Sequence, residues 1–130
     1  MAVAYSETLR HNRLDEITAA VGSSGLLRIY DGSRPGFGGT ATNLLAEFTL
    51  ADPFAPGATG GDLSPTLPSD VTAGASGTAT WFRVLQSDGT TTVMDGDAGE
   101  AAADLILNDA AIVEGGTVSV TGWTITHGNA

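Results

Sequence analysis

The sequence predicts a mainly β domain, an antiparallel β-sandwich or jelly-roll-like barrel preceded by one α-helix. Apolar residues recur at helical spacing before Gly25 and at alternating spacing after it. Six or seven short runs rich in β-branched and aromatic residues follow, separated by Gly, Asp, Asn and Pro. A chain of 130 residues is about the size of one domain. We therefore expect residues 1–130 to form a single domain.

The N-terminal part, residues 1–25, is predicted to be a helix or arm. Ser6 is a suitable N-cap, and Leu14, Ile17 and Val21 follow at helical spacing. Gly22 is placed to end the helix. The pattern therefore predicts a helix over roughly 6–21.

The sandwich is predicted to occupy residues 26–130 and to begin with two strands. Residues 26–30 read as one strand, and residues 33–39 as a glycine-rich surface loop. Residues 44–50 alternate as a half-buried strand. The face predicted to be buried carries Leu44, Ala46, Phe48 and Leu50, and the outward face carries Leu45, Glu47 and Thr49.

The strongest β pattern lies in the second half of the chain. Residues 78–94 predict a hairpin that turns at Ser87-Asp88-Gly89, followed by a loop over 95–99. Further strands are predicted at 105–107, 112–113 and 117–126, the last with a β-bulge where the apolar phase changes at Gly122. Trp81 and Phe82 are adjacent and must face opposite ways, so one of them lies in a second core layer or at an interface.

Residues 51–77 form a long stretch with four prolines, predicted to be loop or edge strand with a short strand near Val71 to Ala75. A loop this long has a function of its own or contains irregular strands. We expect it to contact a neighbouring subunit, and the alternative is that it folds back on its own domain. The interface candidates are Phe54, Leu63, Leu67 and Val71 in this stretch, and Leu9, Arg10 and Arg13 on the helix.

Composition excludes several partners. The formal charge is −10, with five arginines and no lysine, so no basic face is available for a nucleic acid or an anionic membrane. No apolar run approaches the ~20 residues of a membrane span, and no signal peptide is visible. Without cysteine, disulfides, thiolate metal sites and cysteine nucleophiles are excluded. Leu, Ile, Val and Phe make up 22% of the chain, so we expect a thin core and a homo-oligomer.

Catalytic candidates are few, and we expect no enzyme. His11 lies on the helix and is better read as an exposed helix residue, while His127 follows the last strand. The two histidines have no zinc-site spacing. No serine sits in a nucleophile elbow. We expect no cofactor.

The carboxylates Asp95, Asp97 and Glu100 are a weak calcium candidate because they place three hard oxygen ligands within six residues. The alternative is a solvated turn in which aspartates cap the backbone. Two of these acids could also form a glycosidase pair, which requires a cleft rimmed with aromatic residues. Trp81 and Trp123 both lie in strand patterns and are predicted to be core.

Four segments carry a resemblance to a known class of proteins. They are LLRIYDGSRP (26–35), LLAEFTLADPFAP (44–56), GTATWFRVLQSDGTTTVMDG (77–96) and IVEGGTVSVTGWTITHGNA (112–130). Through them the chain resembles small β-rich virion structural proteins of tailed bacteriophages and prophages. The shared features are strands and turns, so no functional residue is carried over.

The resemblance implies a structural component of a phage particle, located in the virion. The first expectation is a capsid decoration (cement) protein that binds and stabilises the outer shell, with the major capsid protein as its partner. The alternative is a neck, tail or baseplate adaptor or receptor-contacting module, with tail proteins as partners. A second alternative is a small domain that binds or hydrolyses glycans of the host surface.

Overall fold

The computed structural model describes residues 6–51, 54–55, 57, 62–101 and 103–126, with the side chains of Arg10 and Thr126 outside this description. Within these residues the fold is mainly β with one N-terminal helix, as the sequence predicts. The elements, in chain order, are α1 (Glu7–Val21), β1 (Leu26–Tyr30), β2 (Leu44–Thr49), β3 (Asp62–Leu63), β4 (Val71–Thr72), β5 (Gly77–Thr78), β6 (Trp81–Leu85), β7 (Thr92–Gly99), β8 (Leu105–Leu107), β9 (Ala111–Ile112), β10 (Thr117–Val118), β11 (Val120–Trp123) and β12 (Ile125–Thr126).

Helix α1 begins and ends where the sequence indicates. The Ser6 hydroxyl accepts the backbone N–H of Leu9 at 3.1 Å, which satisfies one of the donors that a helix leaves unpaired. Gly22 ends the helix with a positive φ of 68°. Leu14 and Val21 are buried in the core, so the predicted stripe is the packing face.

Six strands form the main sheet, in the order β11-β8-β7-β6-β1-β2. Neighbours are antiparallel except for β7 and β8, which pair in parallel over two positions. The tight connection between β6 and β7 passes through Asp88 and Gly89, and Gly89 supplies the positive φ of 72° that the turn needs. The predicted hairpin is confirmed.

A second layer is an interrupted antiparallel ribbon between residues 62–79 and 110–126. It consists of three short ladders, β5–β9, β4–β10 and β3–β12, bridged by hydrogen bonds such as Ala73 N–H to the Gly116 carbonyl at 2.8 Å. The register is constant through the first two ladders and shifts by one residue in the third. The shift lies beyond a bulge between Val120 and Gly122, where the sequence predicts one.

Strand β2 corrects one prediction. The register of β1 against β2 shifts between Ile29 and Tyr30, which leaves Leu45 as an extra residue on β2. Leu45 is therefore fully buried in the core, whereas Leu44 is 40% exposed. The predicted assignment of these two side chains to the buried and outward faces is wrong, because a strict alternation cannot represent a bulge.

Residues 95–99 are also corrected. The acidic, glycine-rich sequence predicts a loop, but these residues complete β7, with residues 95–97 paired to β6 and residues 98–99 paired to β8. Gly96 is buried there against Phe82. A β-carbon at this position would lie 2.5 Å from Cε1 of the ring, so the site leaves no room for a larger residue. The glycine thus leaves room for the aromatic ring to contact the backbone of the strand.

The core lies between the sheet and the ribbon, and α1 packs on it. The described part of segment 51–77 includes β3, β4 and the first residue of β5, and it contributes Phe54 and Leu63, both fully buried, to this core. Phe54 packs edge-on against Trp123, with ring centroids 5.2 Å apart. The segment therefore folds back on its own domain at these positions.

Candidate functional site

The outer face of the sheet, opposite the core, carries a row of four charges across four strands. The register places Glu47 beside Arg28, Arg28 beside Arg83, and Arg83 beside Asp95. Each arginine is bound by the acid on its outer side, at 2.6 Å for Arg28 Nε to Glu47 and 2.7 Å for Arg83 Nε to Asp95. The row is neutral overall, because the acid beside each arginine compensates its charge.

The two ion pairs differ in burial. Arg28 and Glu47 are 25% and 42% exposed, whereas Arg83 and Asp95 are 7% and 5% exposed. Arg83 donates twice to Asp95, from Nε at 2.7 Å and from Nη2 at 3.1 Å. Its guanidinium lies 5.0 Å from the ring centroid of Trp81. The hydrogen bonds to Asp95 raise the pKa of Arg83 above its ordinary value.

Trp81 lies next to this pair on the same face and is fully buried. Its ring stacks on Tyr30 at 4.4 Å between centroids and 17° between planes. The indole N–H donates to the backbone carbonyl of Asp31 and to the Thr42 hydroxyl, both at 3.0 Å. The outer face thus holds a second, smaller core layer, which is one of the two alternatives that the adjacency of Trp81 and Phe82 predicts.

The smaller core layer around Trp81 is closed by the loop of residues 31–43, which we name the covering loop. Gly38 donates its backbone N–H to Asp95 Oδ2 at 3.2 Å, and Arg34 lies 3.7 Å from Asp97. At the base of the loop, Asn43 donates its N–H to Asp31 Oδ1 at 3.1 Å. These contacts tie the loop to β7 at its middle and to itself at its ends.

Phe37 projects from the tip of the covering loop. Residues 36–39 form a β-turn in which Gly39 N–H donates to the Gly36 carbonyl at 2.8 Å. Gly38, at the third position of the turn, has a φ of 71°, which is typical of a type II turn. The backbone on both sides of Phe37 is therefore fixed, while its side chain is 71% exposed.

Three cavities bounded by described residues are shallow. Their volumes are about 290 Å³ over Gly96, 210 Å³ beside Val113, and 330 Å³ at the outer edge of β2. Pockets for small-molecule ligands usually span about 300–1,000 Å³. The cavity over Gly96 is lined by Asp104 and Trp123, and the indole Nε1 of Trp123 has no partner among the described residues.

The three acids of the calcium candidate are engaged separately. Asp95 is bound by Arg83 and the covering loop, Asp97 lies by Arg34, and Glu100 accepts the backbone N–H of Ala110 at 3.0 Å. Within the described ranges, no group of three His, Asp or Glu side chains is placed to hold a metal ion.

Only one of the two histidines lies among the described residues. His11 is half-buried on α1 and engaged in a contact there, rather than exposed as the sequence predicts. His127 lies outside the described residues.

The interface candidates separate into two groups. Phe54 and Leu63 lie inside the core, and Val71 is half-buried against it. Leu67 and Leu9 are 44% and 43% exposed. Arg13 is also exposed, and the Arg10 side chain lies outside the described residues. The exposed candidates thus lie on α1 and near residue 67.

Sequence reasoning missed Phe37 and the Arg83–Asp95 pair. The signal for the pair was present, because a lone arginine inside the apolar run of β6 needs a buried partner, and Asp95 lies on the returning strand. The signal for Phe37 was its position between glycines, where an aromatic side chain has no strand to pack on.

In comparisons with known proteins, no protein-family model, curated protein or solved structure matches the chain. In the part of the chain that the structure describes, no helix has the length and apolar character of a membrane span.

Proposed function

We propose that this chain is a structural component of a bacteriophage particle that binds the outside of the capsid shell and stabilises it. The resemblance noted in the sequence supports the proposal, and its first three segments include β1, β2, β6 and the beginning of β7. These segments form most of the main sheet, so the resemblance concerns the framework of the fold.

The observation that carries the proposal is the distribution of exposed apolar side chains over an acidic domain. Among the described residues, five large ones are exposed on different elements and loops of the fold, namely Leu9, Phe37, Leu44, Leu67 and Val113. Each is ordinary alone. Together with shallow cavities, they favour several small contacts with macromolecules over the enclosure of a small substrate.

Weak contacts suffice for a protein bound to a lattice. When neighbouring copies are held on one shell, a modest affinity at each contact is multiplied by the effective concentration. A charge of −10 also favours a partner surface with basic groups.

The glycan-binding alternative gains no support from the aromatic residues. Trp81 is fully buried and Trp123 is 4% exposed, so neither ring offers an open face for a sugar.

Copy number in purified particles tests the proposal. The chain is quantified against the major capsid protein by mass spectrometry with labelled peptide standards. Hundreds of copies per particle support a shell protein. A count of six to a few dozen supports the neck, tail or baseplate alternative, and complete absence from particles contradicts both.

A further inference from the structure

We infer that the Phe37 tip of the covering loop is a preformed anchor for a protein partner that offers an apolar pocket rimmed by basic side chains. The inference deepens the proposed function and rests on it, because the partner is then a protein of the particle surface. Phe37 takes the place of Phe54 and Leu63 as an interface candidate, because those two residues are buried in the chain's own core.

The first argument is the contrast between backbone and side chain at the tip. A phenyl ring 71% exposed to water stands on a closed turn, with the Gly39 to Gly36 hydrogen bond on one side and the Gly38 to Asp95 bond behind it. An aromatic side chain presented in this way loses little conformational entropy on binding. Aromatic anchors that fill a pocket carry much of the binding energy of protein interfaces.

The second argument is that buried side chains hold the tip in place. Asp95, which holds Gly38, is itself held twice by the buried Arg83. The covering loop also closes over the fully buried Trp81 through Thr42 and Asp31. The tip is therefore coupled to the sheet through the buried Arg83–Asp95 pair.

The net charge of the chain indicates which kind of partner can bind this anchor. A second copy of the chain would bring two bodies of charge −10 together, and an anionic lipid surface would be repelled as well. Near the tip, Asp97 is 62% exposed and lies 3.7 Å from its only described ionic partner, Arg34. A protein pocket with basic groups on its rim complements both the apolar tip and the net negative charge of the chain.

The test uses particles stripped of the chain, or produced without it, and the purified chain carrying a fluorescent label. The Phe37→Ser chain should bind these particles at least about 30-fold more weakly than the wild type, as loss of an interface anchor does. The matched control is Thr40→Ala, which also shortens an exposed side chain of the covering loop and should bind within about threefold of the wild type. Circular dichroism and urea unfolding should be unchanged by Phe37→Ser.

A second variant tests preorganisation. Gly38→Ala keeps Phe37 but opposes the positive φ of 71°, and its β-carbon meets no atom within 4 Å. We expect binding to weaken by roughly fivefold through the turn alone. Unchanged binding by this variant would show that the turn does not preorganise the anchor.

The outcomes separate the inference from the proposed function. If wild type and Phe37→Ser bind equally, the inference is overturned and the proposed function stands. If the wild type fails to bind and is absent from native particles, both are overturned. The inference is also overturned if Phe37→Ser instead abolishes self-association in sedimentation experiments, or binding to vesicles of phosphatidylcholine and phosphatidylglycerol.

Discussion

Arg28 and Arg83 lie directly opposite each other on neighbouring strands of the sheet, two like charges in one cross-strand pair. Such a pair is destabilising on its own. Here Glu47 and Asp95 flank it on the two outer strands and bind one arginine each. The two halves of this row should contribute very differently to stability, because only the Arg83–Asp95 half is buried.

The buried half gives the first prediction. Asp95→Asn leaves the Arg83 charge buried without a carboxylate, and we expect a loss of about 3–5 kcal/mol in the free energy of unfolding. The matched change Glu47→Gln, on the exposed half, should cost about 0–1 kcal/mol. Urea unfolding followed by tryptophan fluorescence measures both. Equal losses would contradict the role assigned to burial.

The second prediction concerns segment 51–77. Phe54→Ala removes a fully buried ring that packs on Trp123, and should cost about 3–5 kcal/mol in the isolated domain. Leu67→Ala, in the same segment but 44% exposed, should cost less than about 1 kcal/mol. Deleting residues 57–66 should unfold the isolated domain, because Leu63 is lost from the core. A deletion variant that melts like the wild type would argue that the segment is only a surface contact.

The third prediction uses two glycines of one strand. In Gly96→Ala the new methyl group would lie 2.5 Å and 2.6 Å from two ring carbons of Phe82, so the ring must move. We expect a loss of about 1–3 kcal/mol from this overpacking. Gly99→Ala, whose nearest contact would be 3.7 Å, serves as the control and should be close to neutral. Thermal unfolding by calorimetry distinguishes them, and similar melting temperatures would be unexpected.

The fourth prediction concerns acid and the turn between β6 and β7. Hydrogen bonds to Asp88 from the Thr91 hydroxyl, and from the backbone N–H groups of Thr91 and Thr90, lower the pKa of this carboxyl well below its ordinary value. When the pKa of a carboxyl group is lower in the folded state than in the unfolded state, its ionisation stabilises the folded protein at pH values above the unfolded-state pKa of about 4. This stabilisation is lost as the pH falls towards the folded-state pKa.

Asp88→Ala should therefore be less stable than the wild type at pH 7, and the difference should shrink as the pH falls below about 4. Urea unfolding at a series of pH values measures it. Thr91→Val removes the largest cause of the shift, so an NMR titration should show the pKa of Asp88 moving back towards its ordinary value. A difference between Asp88→Ala and wild type that stays constant with pH would rule out this linkage.

Much of the main sheet could be predicted because its signals are local. Strands β1 and β8 have the predicted bounds, Ser6 caps the helix, and the phase change at Gly122 marks a real bulge. These features depend on residues a few positions apart. The mainly β class follows from them.

The rest depended on contacts between distant residues. The bulge at Leu45 is set by pairing with β1, and Asp95 belongs to a strand because Arg83 binds it across the sheet. Read alone, Asp-Gly-Asp predicts a turn. The role of the covering loop was also invisible, since its glycines show that it can bend but not that it closes over Trp81. The proposed anchor, Phe37, is a consequence of that closure.

The ribbon between residues 62–79 and 110–126 delays the completion of folding. Its pairs join residues far apart in the sequence, ending with Ile125 against Leu63. Closing such long loops costs entropy before any contact is gained, which slows folding. During synthesis, Phe54 and Leu63 stay uncovered until residues 123–126 have been made. A chain truncated after residue 110 should therefore aggregate, even though it contains most strands of the main sheet.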